Sequence, residues 1–319
     1  MIPQFPHFKS ISLEDKEHIE AYTSQYKPYS DFNFTNLWIW NTRGDRMVSE
    51  LNGNLVVKLS DYVTGEPFLS FLGSNNSINT ARRLLEYADR TGLPTTLRYI
   101  SEEAAVSVRG RNLKKETDEE NFDYIFLTAQ LANPTGSNFK KKRQQSNKFV
   151  RENVGAAFRI QSLSDPSVQN DIRTLFKEWG EHKKSDTKYN YELEGQALER
   201  LLDTIEYHSV VLSTVHINDT LLGFSIDEIL PNRYAVSHFV KANVAYKGVY
   251  EFLNEKTAAY LLTEGVTHWN WEQDLNIEGL RQLKMSYRPI DFLKKYKVSG
   301  STTPIKKNRW NFWDLLFVK

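Results

Sequence analysis

The segment WNWEQDLNIEGLRQLKMSYRP, Trp269 to Pro289, gathers the side-chain types that acyl transfer requires. Moving an acyl group from an ester to a nucleophile needs a group that takes the nucleophile's proton. It also needs a donor to the oxyanion and a means of fixing the acyl donor. Glu272 and Asp274 stand two residues apart at the end of a strand-like run, so in an extended chain they project to the same side. One carboxylate there can bind an ammonium or accept its proton. The competing roles are a helix cap for Asp274 and a surface ion pair for Glu272. In the helix that follows, the spacing predicts that Ile277, Leu280 and Leu283 face inward. Arg281, Lys284 and Arg288 follow one another at +3 and +4 on a neighbouring face. Three cations on one face repel unless an anion sits among them, or unless the face is solvated or paired with acids elsewhere. Tyr287 can donate to a leaving hydroxyl, or it can be a buried tyrosine held by the backbone.

A second basic cluster runs from Asn138 to Arg151, with six cations and no acid. Lys140, Lys141, Lys142, Arg143, Lys148 and Arg151 suit the phosphates of an RNA acceptor stem, and Asn147 adds a polar contact. The same run also reads as a solvated face. No aromatic is interleaved, so base stacking is not indicated. Lys140 to Lys148 contains no apolar residue, so the run is expected to form a helix without a core stripe that bridges two halves of the chain. In VAYKGVYEF, Val244 to Phe252, a single glycine, Gly248, precedes the bulky Val249 and Tyr250, and Lys247 can meet a phosphate as a point charge.

Several function classes are set aside by composition. The seven histidines, His7, His18, His182, His208, His216, His238 and His268, form no HxH or HxxxH pair, so no metal site is expected. His216 and His238 lie in strand-like runs and read as satisfied structural histidines. There is no cysteine, which excludes disulfides, a cysteine nucleophile and thiolate metal sites. A net charge of +1 gives no global field for a nucleic acid or a membrane. No apolar run approaches the roughly 18 residues of a membrane span, and the start, MIPQFPHFKS, lacks the apolar core of a secretory signal. A cytoplasmic location is the expectation.

These groups must be held by a mixed α/β framework. The length of 319 residues suggests two domains or one large one. Ser12 to Tyr26 reads as a helix with Ser12 as its cap. NLVVKLS, PFLSFLG, TTLRYI and DYIFLTAQL read as strands. SINTARRLLEYADRTG forms a helix with Ile78, Ala81, Leu84, Leu85 and Ala88 as one stripe and Gly92 as its stop. In the second half, helices at Asp171–Trp179 and Glu192–Tyr207 precede three adjacent strands, SVVLSTVHI, TLLGFSIDEI and RYAVSHFV. A helix ending at Gly265 then leads to the strand THWNWE. Hairpins followed by a helical crossover predict antiparallel pairing and then one parallel pairing. The expected division is 1–135, a bridging helix at 136–155, and 156–319. YSDFNFTNLWIWN, Tyr29 to Asn41, spaces Phe32, Phe34, Trp38 and Trp40 evenly and reads as first-half core with a turn at Ser30-Asp31. The tail KKNRWNFWDLLFVK, Lys306 to Lys319, reads as an amphipathic membrane-surface segment or as one docked on the body.

The second-half order resembles that of the GNAT N-acyltransferase fold. YSDFNFTNLWIWN, KKRQQSNKF (Lys141 to Phe149) and EQDLNIEGLRQLKMSYRPIDFLKKY (Glu272 to Tyr296) together resemble the soluble domain of phosphatidylglycerol lysyltransferases, and most closely its stand-alone bacterial relatives. The resemblance implies two tandem GNAT-like acyltransferase domains. It also implies transfer of an aminoacyl group from a charged tRNA to a lipid, peptide or small-molecule acceptor. On that reading the second domain holds the donor's reactive end, Glu272 handles the acceptor's proton or ammonium, and Arg281 and Lys284 steady anionic groups. The sequence departs from the family in lacking a transmembrane flippase portion, which puts a lipid acceptor in doubt. It also lacks the R/Q-x-x-G-x-G/A loop with which CoA-using GNAT proteins cradle pyrophosphate. Acyl-CoA is therefore disfavoured, and no other cofactor is implied. The rival readings are an acyl-CoA-dependent N-acyltransferase and a non-catalytic module that binds RNA or an envelope component.

Overall fold

The computed structural model describes residues 1–108, 112–183 and 190–300. The tail Lys306–Lys319 lies outside the described residues. Among those described, no helix is long and apolar enough to cross a membrane.

The first sheet is antiparallel, in the order β1 (Lys9–Ser10), β2 (Met47–Leu51), β3 (Asn54–Ser60), β4 (Pro67–Leu72). The apolar run of β3 is buried on both sides. Leu55, Val57 and Leu59 meet Ile19 of α1 (Lys16–Thr23) and Phe34 and Leu37 of α2 (Phe34–Ile39). Val56 turns the other way, towards Ala81, Leu84, Leu85 and Ala88 of α3 (Ser77–Thr91). A period of two is thus preserved under a continuous apolar sequence. The β2–β3 turn places Asn52 at φ 56° and Gly53 at φ 75°, the left-handed pair that a tight hairpin needs.

A three-stranded antiparallel sheet follows, in which β5 (Thr96–Ser101) leads into α4 (Glu102–Ser107). Its middle strand comes from the far end of the chain: β14 (Lys295–Gly300) lies between β5 and β6 (Leu113–Thr117). The exchange also runs in reverse. β7 (Asp123–Leu127) leaves the first half to join the seven-stranded sheet β13-β7-β12-β11-β10-β9-β8. The sheets therefore do not separate at residue 135. The DYIFLTAQL run also divides, with β7 giving way to α5 (Thr128–Ala132).

Within the large sheet, β8 (Ala156–Gln161), β9 (Val210–Ile217), β10 (Thr220–Ile229) and β11 (Tyr234–Ala242) pair antiparallel. Helix α9 (Val249–Thr263) then crosses over to β12 (His268–Asn270), which pairs parallel to β11. β7 bridges β12 and β13 (Asp291–Leu293). Helices α7 (Pro166–Lys183) and α8 (Tyr191–Asp203) cover one face through Ile172, Leu175, Leu198 and Leu201.

Helix α6 (Lys140–Glu152) is not a bare bridge. It buries Ser146 and Phe149 against α9, with the Phe149 and Phe252 rings 5.2 Å apart and Ser146 Oγ donating to Glu255 at 2.8 Å. A stripe of one hydroxyl and one ring escapes an apolar-period reading.

Candidate active site

β12 stops at Asn270, two residues short of Glu272, and the expected pairing of Glu272 with Asp274 on one side is lost. Glu272, Leu275 and Asn276 all sit at φ 52–56°. Left-handed conformations of this kind cost about 1–3 kcal/mol each in residues with a side chain and persist only where neighbours fix them. Lys284 does this from α10 (Glu278–Ser286). Its ammonium donates to the carbonyls of Trp271, Glu272 (3.2 Å) and Gln273 (2.6 Å), so all three protons are engaged. Burial pushes this lysine down to about 8, against the charges of Glu272, Asp123 and Asp274. Gln273 is tied to Ser30 (2.9 Å), Asp31 (3.2 Å) and Lys295 (3.3 Å). Lys295 in turn is buried between Asp31 and Asp123.

Asp274 braces the other end of the loop. It accepts from Tyr124 (2.6 Å), the Asn276 amide (2.8 Å) and Arg281 Nε (2.8 Å). Arg281 is consequently an ion-pair partner rather than an open cation, and Asp274 does not line the cavity described next.

Turning Lys284 inward turns the apolar residues outward. Lys284 is 6% exposed, whereas Leu283 is 42% exposed. Ile277, Leu280 and Leu283, expected in the core, instead wall a cavity of about 450 Å³ between α10, the 271–277 loop and β11. Trp40, Tyr62, Trp179, Tyr250 and Trp271 complete its aromatic sides.

Glu272 and His238 lie on its polar floor. Glu272 is 20% exposed; its Oε1 accepts from Asn36 Nδ2 at 2.6 Å and lies 3.5 Å from His238 Nδ1. His238 is buried on β11, with Nε2 donating to Glu228 (3.1 Å) and Nδ1 to Asn36 Oδ1 (3.1 Å). Burial alone would lower this imidazole, but the hydrogen bonds and charges of Glu228 and Glu272 together raise it to about 9. It is an imidazolium at neutral pH. The effect on Glu228 is reciprocal: burial opposes its charge, and His238 with Asn33 holds it below the usual carboxylate range. A second pair, Lys241 and Glu194 at 2.8 Å, also faces the cavity, with the ammonium 4.3 Å from the Trp179 ring centre.

Of the residues singled out by sequence for chemistry, Glu272 and Lys284 meet at this cavity. Tyr287 is buried behind it, accepting from Asn254 at 3.3 Å and lying beneath the Lys142 ammonium, 3.8 Å from its ring centre. Lys142 also pairs with Glu251 (3.4 Å), and Arg143 donates to the carbonyls of Pro134 and Gly136 (2.7 Å each). Asn147, Lys247 and Arg288 are exposed. His238, Asn36, Glu228, Glu194 and Lys241 were not singled out for chemistry. The available signals were Asp227-Glu228, two acids inside an otherwise apolar strand, and Asn33 and Asn36, three apart on one helical turn.

Among the described residues, no group of three or more acids and histidines is arranged to hold a metal. The N-terminus of α9 is closed. Gly248 has φ 90°, and a Cβ there would lie 2.2 Å from the Gln145 carbonyl oxygen of α6. A backbone acceptor thus lies against the start of α9, where a pyrophosphate would need N–H donors.

The family described as phosphatidylglycerol lysyltransferase, C-terminal, matches residues 23–299. A conserved protein of unknown function from Bacteroides thetaiotaomicron superposes with a TM-score of 0.81 at 24% identity, over 94% of this chain and 100% of that one. The C-terminal domain of a putative lysylphosphatidylglycerol synthetase from Agrobacterium fabrum gives 0.62 at 13% identity, over 90% and 92%. L-PGS from Bacillus licheniformis gives 0.60 at 16%, over 94% and 93%. No curated protein matches the chain. At these identities the structural likeness speaks for the fold, which is the mixed α/β, tandem GNAT-like arrangement read from the sequence.

Proposed function

The chain belongs to the phosphatidylglycerol lysyltransferase C-terminal family, and from that premise we propose that it transfers an aminoacyl group from a charged tRNA to an acceptor hydroxyl or amine. The observation that carries the reading is a partly exposed carboxylate, Glu272, fixed by Asn36 and a buried imidazolium on the floor of an aromatic cavity of about 450 Å³. A carboxylate held at one point suits ion pairing with the α-ammonium of an aminoacyl ester. The acceptor's O–H or N–H then attacks the ester carbonyl. The new acyl bond forms, the bond to the ribose oxygen breaks, and the acceptor's proton ends on that oxygen. His238 positions Glu272, and Lys284 and Asp274 hold the loop that presents it.

Closure of the α9 N-terminus by Gln145 speaks against acyl-CoA as the donor. Lys140, Lys141 and Arg151 remain exposed on α6 and offer cations to tRNA phosphates. The test is radiolabelled transfer from bulk charged tRNA into a lipid, peptide and small-molecule extract. The expected result is label in one acceptor fraction. A folded protein that moves no label from any charged tRNA would end this reading.

A further inference from the structure

A second, narrower cavity of about 40 Å³ forms an arm beside the main one and shares Trp40, Tyr62, Val63 and Asn190 with its wall. Arg43 and Arg46 line this arm, together with Asp61. Arg43 is exposed. Arg46 is only 2% exposed, yet among the described residues it makes no ion pair. Its guanidinium donates to the Asn36 carbonyl at 3.3 Å and stands 5.1 Å from the Tyr62 ring centre. A buried charge without a counter-ion is costly, and an arriving anion relieves that cost.

Among the described residues, the nearby acids are engaged elsewhere, Glu272 by Asn36 and His238. Asp61 is held by the amides of Val63 (2.9 Å) and Thr64 (2.8 Å) and by Arg98 (2.7 Å). Asp45 accepts from Ser60, and Asp31 is bound to Lys295. Glu194, at the start of α8, is bound to Lys241.

We propose that this arm binds the phosphate of a phosphodiester whose reacting end lies in the main cavity. Guanidinium is the cation best matched to phosphate, by charge and by its forked donors. The arm is also coupled to the floor: Arg46 holds the Asn36 carbonyl, and the Asn36 amide holds Glu272. A phosphate on Arg46 would therefore register next to the carboxylate that fixes the aminoacyl group. The inference deepens the proposed function. Either substrate could supply this chemistry: the donor as its last internucleotide linkage, or the acceptor as a glycerophosphodiester headgroup.

The test is calorimetric titration with cytidylyl-(3′→5′)-adenosine, with glycerophosphoglycerol and with inorganic phosphate. The proteins are wild type, Arg43→Gln, Arg46→Gln and the remote surface variant Arg90→Gln. At least one diester should bind wild type and Arg90→Gln alike, and Arg43→Gln should weaken it about tenfold or more, as loss of a charge-assisted hydrogen bond does. The diester that responds names the source. No diester binding to wild type, binding of inorganic phosphate alone, or undiminished affinity in Arg43→Gln would overturn the proposal, whatever Arg46→Gln does to folding. The readout needs no transfer, so a chain that binds a diester but moves no acyl group would sink the proposed function and leave the arm standing.

Discussion

Replacing Lys284 with methionine should be among the most damaging single changes on α10, although a helical wheel places this lysine at the surface. The side chain is 6% exposed and donates to three carbonyls, those of Trp271, Glu272 and Gln273. Methionine keeps the volume and removes all three donors. Each orphaned carbonyl costs about 1–3 kcal/mol when it stays dry. The low end applies here, because the 271–277 loop borders an open cavity and water can reach part of it. The ammonium's own desolvation, visible in its fall to about 8, is recovered and offsets part of the loss. A net destabilisation of about 3 kcal/mol follows. In a chain of 319 residues that corresponds to a Tm lower by about 5 °C. The neighbouring Leu283→Ser should cost less than about 0.5 kcal/mol, because that leucine is already 42% exposed. Thermal and urea melts of both variants decide the matter. A Lys284→Met protein that melts with wild type, or a Leu283→Ser protein that is the less stable of the two, would refute the inverted helix.

The charged state of His238 makes stability depend on pH. Its folded value of about 9 lies above its ordinary 6.5, so the stabilisation is complete below about pH 6.5 and is lost as pH rises through 9. The full loss is about 3 kcal/mol. Lys284, held down at about 8, shifts stability the opposite way over part of this window, so the effect is read as a difference. From pH 6 to pH 9.5, urea melts of wild type should lose about 3 kcal/mol more than those of His238→Gln, and parallel profiles would contradict the imidazolium. Gly248→Ala sets a Cβ 2.2 Å from the Gln145 carbonyl at φ 90°, whereas Gly265→Ala, at φ 80°, meets nothing within 4 Å. The Gly265 variant should lose about 1 kcal/mol and the Gly248 variant clearly more. Equal losses by thermal melt would mean that α6 does not close the start of α9.

Much of the framework was legible because it is local. The α3 stripe with Gly92 after it, the three antiparallel strands β9 to β11, and the α9 crossover to a parallel β12 are all written in periodicity and breakers. The exchange of β7 and β14 between the halves was not legible, because pairings such as Lys295 with Ser101 join residues far apart in the chain. Glu272 was legible as a carboxylate that packing does not require. Lys284 was noticed for the wrong reason. Lysines are rarely buried, and nothing in a helical period announces that three carbonyls of a left-handed loop will converge on one. His238 was read as a satisfied core histidine, and its partners do satisfy it. What that reading left out is that the partners are two carboxylates, one of which faces the cavity.

The most direct test of the account is single-turnover transfer from charged tRNA by wild type and Glu272→Gln, with melts to confirm that both are folded. Removing one charge from a fixed ion pair costs about 2–4 kcal/mol, so transfer by the variant should slow by roughly 30-fold to 10³-fold. A variant that transfers at the wild-type rate would show that Glu272 does not hold the aminoacyl group and would contradict the account.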